Sequence, residues 1–351
     1  MITYPSTDQL NTLIYNVNKR YNFIGLDDNG DAIYDHTLPK PKLTFKGTVK
    51  IHGTNAGISY NDNGMWVQSR KNIITVVSDN AGYAFFVDTK KDFLISIFDE
   101  IKKKYNIDTK NQTITIYSEW GGSGIQKGVG VNNIEKSMFI FGIKISPLII
   151  NELSDSSYWV DSSGFSSNEN RIYNILDFKT YEIEIDFNQP QLAQNKIIEL
   201  TIEVEDECPV AKSFGFPNTI GEGIVFSYLN EKGQRQVFKS KGEKHAGASK
   251  VKVLKPVDDV KINKVIHVVN QITPIWRLDQ MITETFNTLN GGVIEMKGIG
   301  TYIKAVMNDI VKEELVTLAE NDLAPKDVGK YVSEVAKKYF FQRFNDEIGL
   351  K

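Results

Sequence analysis

KLTFKGTVK at 42–50, IHGTNAGISY at 51–60 and NDNGMWVQSR at 61–70 alternate apolar and polar residues around a turn at Asn61-Asp62-Asn63-Gly64. Successive side chains of a strand point to opposite faces, so this pattern predicts a strand ending near Lys50 and a hairpin that returns at Arg70. Before it, Ser6 or Thr7 stands as a helix cap in front of Leu10, Leu13, Ile14 and Val17, spaced i, i+3, i+4, i+7. After it comes a helical stripe of Phe93, Leu94, Ile97, Phe98 and Ile101. Strand patterns follow at TITIYSEW (113–120), MFIFGIKI (138–145), TYEIEIDF (180–187), IIELTIEVE (197–205), EGIVFSYL (222–229) and QRQVFKSK (234–241). Asn230-Glu231-Lys232-Gly233 reads as the turn between the last two, and 154–170, rich in Ser, Asn and Gly, as an irregular surface insertion.

Beyond Pro256 the alternation gives way to three helical stripes. They are Ile275, Leu278, Met281, Ile282 and Phe286 behind Pro274; Ile303, Met307, Ile310, Val311 and Leu315; and Val328, Val332, Val335, Tyr339 and Phe340 behind Pro325. Strands followed by helices predict an α+β chain with a separate helical C-terminal domain. The 351 residues agree with two domains, divided here as 1–250 and 251–351.

The chain has 41 Lys+Arg against 44 Asp+Glu, a net charge of -3, and one cysteine. This composition excludes a basic tail protein and a disulfide scaffold. Cys208 and the scattered His36, His52, His245 and His267 do not suggest a zinc cluster. MITYPSTDQL lacks the basic start and apolar run of a leader, and no stretch approaches the roughly 20 apolar residues that span a bilayer. The expectation is a reducing, cytoplasmic location with no membrane partner. One basic strip stands out: Lys232, Arg235, Lys239, Lys241, Lys244, Lys250, Lys252 and Lys255 against Glu231, Glu243, Asp258 and Asp259. It reads as a solvated strand edge or as a surface that faces phosphates.

Gly121-Gly122-Ser123-Gly124-Ile125-Gln126-Lys127-Gly128 follows a strand but lacks the Gly-Lys-Ser/Thr of a phosphate loop and the glycine spacing of a dinucleotide fingerprint. Lys-x-x-Gly occurs seven times, at Lys50, Lys127, Lys212, Lys239, Lys244, Lys297 and Lys326, so alone it means nothing. Only Lys50-Ile51-His52-Gly53-Thr54-Asn55 is followed in order by Ser69-Arg70, Glu119 at a strand end, Phe139-Ile140-Phe141, Glu222-Gly223-Ile224-Val225 and Lys239-Ser240-Lys241.

That ordered set resembles the covalent nucleotidyltransferase superfamily of ligases and capping enzymes. His52, Thr54-Asn55 and the stretch from Tyr117 to Lys127 look like its RNA ligase 2 type, the double-stranded RNA ligases. The resemblance implies a nucleotidyltransferase (ATP-grasp-like ligase) domain of two packed antiparallel sheets with flanking helices, then a small all-helical domain. It also implies an ATP-dependent RNA ligase that joins 3′-hydroxyl to 5′-phosphate ends, at nicks or in RNA repair, through AMP carried covalently on Lys50. Mg2+ or Mn2+ is the implied ion, duplex or nicked RNA the partner, and a monomer, cytoplasmic or virus-encoded, the setting. A DNA ligase, a capping guanylyltransferase, or a non-catalytic RNA-binding protein on the same fold stay open as alternatives.

The residue chemistry suits that reading. Lysine's reference pKa of about 10.4 leaves about one amine in a thousand or fewer free at neutral pH, so a nucleophilic Lys50 must be tuned. Partial desolvation and the neighbouring Lys239 and Lys241 favour the neutral amine. Those two lysines, two apart on one strand face, also suit an α-phosphate under attack. By resemblance Glu222 anchors the metal through water, Glu119 accepts from a ribose hydroxyl, Arg70 binds a ribose or a 5′-phosphate, and Phe141 stacks on the purine. Ile51 and Asn55 complete the nucleotide contacts, and His52 stands near the leaving pyrophosphate. Three positions depart from the family pattern: Ser227 replaces a basic residue, Gly142 an acid, and Gly291 an arginine after Thr288-Leu289-Asn290, whereas Asp309 matches a family acid.

Overall fold

The structure is a computed structural model that describes residues 1–26, 30, 32–150, 155–245 and 253–347. Contacts divide the chain into two compact units, Met1–Ile14 with Lys42–Lys255, and Tyr15–Pro41 with Pro256–Lys351. The 250/251 boundary lies outside the described residues, as do Lys250, Lys252 and the His245 side chain. Residues 15–41 thus group with the C-terminal helices.

The helix α1 (Leu10–Asn22) leads into β1 (Phe23–Leu26) and β2 (Ala32–Tyr34), an antiparallel pair. The first unit then runs through β3 (Lys42–Val49), β4 (Thr54–Asn61), β5 (Gly64–Ser69), β6 (Ile73–Ile74), α2 (Tyr83–Thr89), α3 (Lys91–Tyr105), β7 (Gln112–Gly121) and β8 (Ser137–Pro147). It continues with β9 (Tyr158–Val160), β10 (Ile172–Asn174), β11 (Thr180–Asp186), α4 (Gln194–Asp206), α5 (Pro209–Ser213), β12 (Gly223–Leu229) and β13 (Arg235–Lys241). A seven-stranded sheet has the order β10-β8-β7-β4-β5-β6, with β9 also on β8; a four-stranded sheet has the order β11-β3-β12-β13. All pairs are antiparallel except β10 with β8.

Alternation decides which side chains each sheet buries. In the seven-stranded sheet Ile58, Ile114, Ile116 and Ile140 pack on Phe86, Leu94, Phe98 and Ile101 of α2 and α3. In the four-stranded sheet Ile224, Phe226 and Phe238 are fully buried, the two rings stack at 4.9 Å, and Thr201 of α4 bonds Ser240 at 2.8 Å. The residues between these, among them Glu119, Phe139, Val225 and Lys239, are left for the opposite faces.

Two expectations are corrected. IIELTIEVE at 197–205 lies in α4, not in a strand. Its buried residues Ile197, Leu200, Thr201 and Val204 recur at i, i+3, i+4, i+7, a helical face that β-branched composition disguised. Within 154–170, Tyr158–Val160 forms an edge strand on Ile143–Ile145 of β8 rather than irregular chain. The hairpin at 230–233 closes through Asn230 N–H to Gln234 carbonyl.

In the second unit, the described residues beyond 256 are helical: α6 (Asp259–Ile272), α7 (Ile275–Asn290), α8 (Ile299–Glu313), α9 (Leu315–Glu320) and α10 (Pro325–Glu347). Sequence periodicity had shown α7, α8 and α10 but not α6, whose N-terminus Asp258 caps through the Lys261 N–H, nor the short α9. Val265, Ile282, Tyr302, Val306 and Phe340 make the core. Inside it Arg277, 6% exposed, pairs with Asp309 (Nε–Oδ2 3.0 Å) and Glu314 (Nη2–Oε1 2.7 Å). The family-matching Asp309 therefore has a structural partner, and Gly291 caps α7 at φ 59°. Arg277→Ala strands two part-buried carboxylates, so it should cost about 2–3 kcal/mol, read as a lower urea midpoint.

Candidate functional site

The chain leaves the four-stranded sheet at Val49 and enters the seven-stranded sheet at Thr54, so Lys50–Gly53 is the crossing between them. The crossing is tightly held. Lys50 N–H donates to the Gly223 carbonyl at 2.8 Å, and Gly53 N–H to Glu119 Oε1 at 3.2 Å. A Cβ on Gly53 would lie 2.2 Å from the Trp120 carbonyl oxygen, so only glycine lets this backbone approach β7.

A cavity of about 400 Å³ opens between the two sheets at this crossing. Lys50, Ile51, Asn55, Arg70, Glu119, Phe141, Lys239 and Lys241 all line it. Glu222, 2% exposed, sits behind Lys50, and its carboxylate is shared. Oε2 accepts from Lys50 Nζ at 2.7 Å and lies 3.2 Å from His52 Nδ1, while Oε1 lies 2.7 Å from Lys241 Nζ. The Lys50 side chain is only 21% exposed. The reactive-lysine candidate is thus turned inward, beside the paired cations of β13.

The electrostatics follow from this crowding. Burial would raise the Glu222 carboxyl, but His52, Lys50 and Lys241 together hold it well below the usual carboxylate range. Burial and the charges of Lys241, Lys50 and Arg70 push Lys239 down. Glu119 goes the other way: removal from water, against the pull of Lys50, and repulsion from Glu222 push it up to about 7. The folded protein therefore keeps that proton where an unfolded chain releases it near the ordinary 4.5. The proton's contribution to stability is whole below about 4.5 and disappears as pH rises through about 7. Urea midpoints should fall over that window in the wild type, and the fall should be shallower in Glu119→Gln.

Phe139 and Phe141 both reach the cavity, Phe139 fully buried and Phe141 partly so. Arg235, Lys239 and Lys241 share one face of β13, so three cations of the basic strip point into the cavity instead of forming a solvated edge. Lys244 leaves the strip for Asp206 at 3.5 Å. Ser227 stands directly opposite Lys46 on β3. Gln126 of the glycine-rich stretch donates to the Gly53 carbonyl at 3.3 Å.

Some lining residues escaped the sequence. Thr48 and Val225 line the cavity from facing positions of β3 and β12. Arg235, named only as part of the basic strip, lies four residues before Lys239 and six before Lys241, so strand alternation puts it on the same face, with Val237 between. Tyr4, whose ring meets Phe141 edge-on at 5.0 Å, had no local signal, because only the folded chain brings the N-terminal segment there.

Among the described residues, no cluster of three or more His, Cys, Asp or Glu side chains is built to hold a metal, and no helix is long and apolar enough to cross a membrane. A family model described as RNA ligase matches residues 44–241. No curated protein matches the chain. Similar solved structures include Naegleria gruberi RNA ligase with PPi, at 14% identity and TM-score 0.40, covering 70% of this chain and 57% of that one. A lysine-to-methionine mutant of that ligase with AMP and Mn gives 14% identity and TM-score 0.42, covering 71% of this chain and 58% of that one. A lysine-to-alanine mutant with ATP and Mn gives 15% identity and TM-score 0.41, covering 70% and 57%. This chain spans less than three fifths of the length of those chains.

Proposed function

The chain belongs to the RNA ligase family, and from that membership we propose that it is an ATP-dependent RNA ligase joining 3′-hydroxyl and 5′-phosphate ends through lysyl-AMP on Lys50. The observation that carries the proposal is the placement of Lys50 Nζ, inside a nucleotide-sized cavity and held by the same carboxylate as Lys241. The neutral amine attacks the α-phosphorus of ATP; the N–P bond forms, the bond to the bridging oxygen breaks, pyrophosphate leaves and the amine's proton passes to water. AMP then moves to the RNA 5′-phosphate, and the 3′-hydroxyl displaces it. Lys239 and Lys241 neutralise charge on the transferring phosphate, Arg70 and Glu119 hold ribose or phosphate, Ile51 and Asn55 line the nucleotide, and the base lies against Phe141. His52 stands toward the leaving pyrophosphate.

A divalent ion, Mg2+ or Mn2+, fits this donor set as a companion of the nucleotide. Mg2+ commonly keeps several waters and takes one or two carboxylates plus substrate phosphates, and Glu222 supplies such a carboxylate once it parts from a lysine. Bound there, the ion would neutralise phosphate charge.

The subtype we propose is the RNA ligase 2 type, acting as a monomer on nicked or duplex RNA. Within residues 1–250, Met1–Ile14 and the part from Lys42 onward would form the adenylation domain, and 251–351, with which residues 15–41 group, the helical domain that meets RNA. A reducing, cytoplasmic setting suits the buried free thiol of Cys208. The test is incubation of the full chain with α-labelled ATP or GTP and Mg2+, then with nicked RNA or nicked DNA. ATP-dependent protein labelling chased into sealed RNA is expected; GTP-only labelling, DNA-only sealing or no label would each defeat the assignment.

A further inference from the structure

Arg235 stands beside Phe141 and has no part in the scheme above. Its Nη2 donates to the Phe141 carbonyl at 3.0 Å, and the centre of its guanidinium lies 4.8 Å from the Trp159 ring centroid. Its Nη1 is buried with no hydrogen-bond partner among the described residues. An unpaired buried donor is costly, so the guanidinium is retained for what its other contacts hold.

Those contacts hold a weak point of β8. Tyr117 pairs with Gly142 and Ser118 with Ile140, so Phe141 is the extra residue of a β-bulge and has no partner across the ladder. A bulge re-aims its side chain but leaves the local backbone without the usual ladder bonds. Arg235 adds a side-chain bond at that carbonyl. The next residue makes room for it: a Cβ on Gly142 would lie 2.7 Å from Arg235 Nη1 and 3.0 Å from Trp159 Cζ3. Steric exclusion thus accounts for glycine where the family pattern has an acid.

We propose that Arg235 is a positioning residue for the base platform: stacked on Trp159 and bonded to the Phe141 carbonyl, it aims the phenyl ring into the cavity, and Gly142 is the space its guanidinium needs. This rests on the reading that the cavity takes ATP with its base on Phe141.

The test measures lysyl-AMP formation by the full chain at varied ATP in Arg235→Met, Arg235→Lys, Gly142→Ala, Phe141→Ala and the Arg235→Met/Phe141→Ala double variant. Inorganic tripolyphosphate serves as a competitor without a base. Arg235→Met and Gly142→Ala should each raise KM for ATP about tenfold, the scale of one lost base–aromatic stack, with kcat within about twofold. Arg235→Lys, which lacks the planar fork, should behave like Arg235→Met. The double variant should be no worse than Phe141→Ala, and inhibition by tripolyphosphate should be unchanged in all.

Multiplying effects in the double variant, or weaker tripolyphosphate inhibition in Arg235→Met, would overturn the proposal, because Arg235 would then act on the nucleotide directly. Should Arg235→Met fail to fold, Gly142→Ala decides by the same KM and competitor measurements. Wild-type protein that takes no label from ATP defeats the ligase reading and this proposal together, whereas a labelled wild type with multiplying effects defeats this proposal alone.

Discussion

Lys50→Ala should abolish labelling of the protein by α-labelled ATP, lowering it by about a thousandfold or more, while the protein still folds. Loss of a nucleophile removes the covalent route itself, and its partners do not compensate because they act as one unit with it. Lys241 is held 2.7 Å from the other oxygen of Glu222, and Lys239 lies on the next strand position of that face, so neither replaces the nitrogen at the sheet crossing. Retention of the fold is expected because the backbone bond from residue 50 to Gly223 survives the substitution. Pre-adenylated RNA supplied to this variant should still be sealed, since that step no longer needs the lysine nitrogen as carrier. Mass spectrometry of the intact protein and gel analysis of nicked RNA check both outcomes; label on Lys50→Ala at the wild-type level refutes the assignment of Lys50.

Glu222→Ala should slow self-labelling by at least about a hundredfold and also destabilise the first unit by about 3 kcal/mol, because it leaves two cations around a buried position without their shared counter-charge. Glu222→Gln should be nearly as slow, since an amide cannot balance Lys50 and Lys241 together. Because Glu222 is held below the usual carboxylate range, its contribution to stability is present above about pH 4.5 and is lost only as pH falls through its lower folded value. Stopped-time labelling and urea midpoints at pH 7 and pH 3 check this. The two variants together separate the roles: alanine at 50 removes the nucleophile and leaves His52 and Lys241 to balance Glu222, whereas alanine at 222 removes the shared counter-charge itself and should cost more stability.

How much of this was legible before folding depended on whether the signal was local. The alternation at 42–70 was readable because each side chain of β3, β4 and β5 meets a single environment, core or cavity. The ordered residues from Lys50 to Lys241 were readable as a series because strand ends carry them, and the structure draws them around one cavity. α4 was misread because Ile, Thr and Val favour strands by composition while their spacing serves a helix face. The direct pairing of Glu222 with Lys50 was not foreseen: the two lie 172 positions apart, and only the long-range pairing of β3 with β12, ending in the bond from residue 50 to 223, brings them together. The roles of Tyr4 and Trp159, and the contact of Arg235 with Phe141, were invisible for the same reason, since their meeting depends on separate segments.

The pairing of residues 15–41 with the C-terminal helices bears on how the protein is made. As the chain leaves the ribosome at about 5–20 residues per second, the sheets that carry Lys50 are complete once residue 241 has emerged, yet an early segment must wait about 5 to 20 s more for α10. During that pause Val17 and Asn22, buried in the finished fold, have no complete unit to join. Nascent chains stalled near residue 255 should bind chaperones through that early loop, and release of synthesis should end the binding.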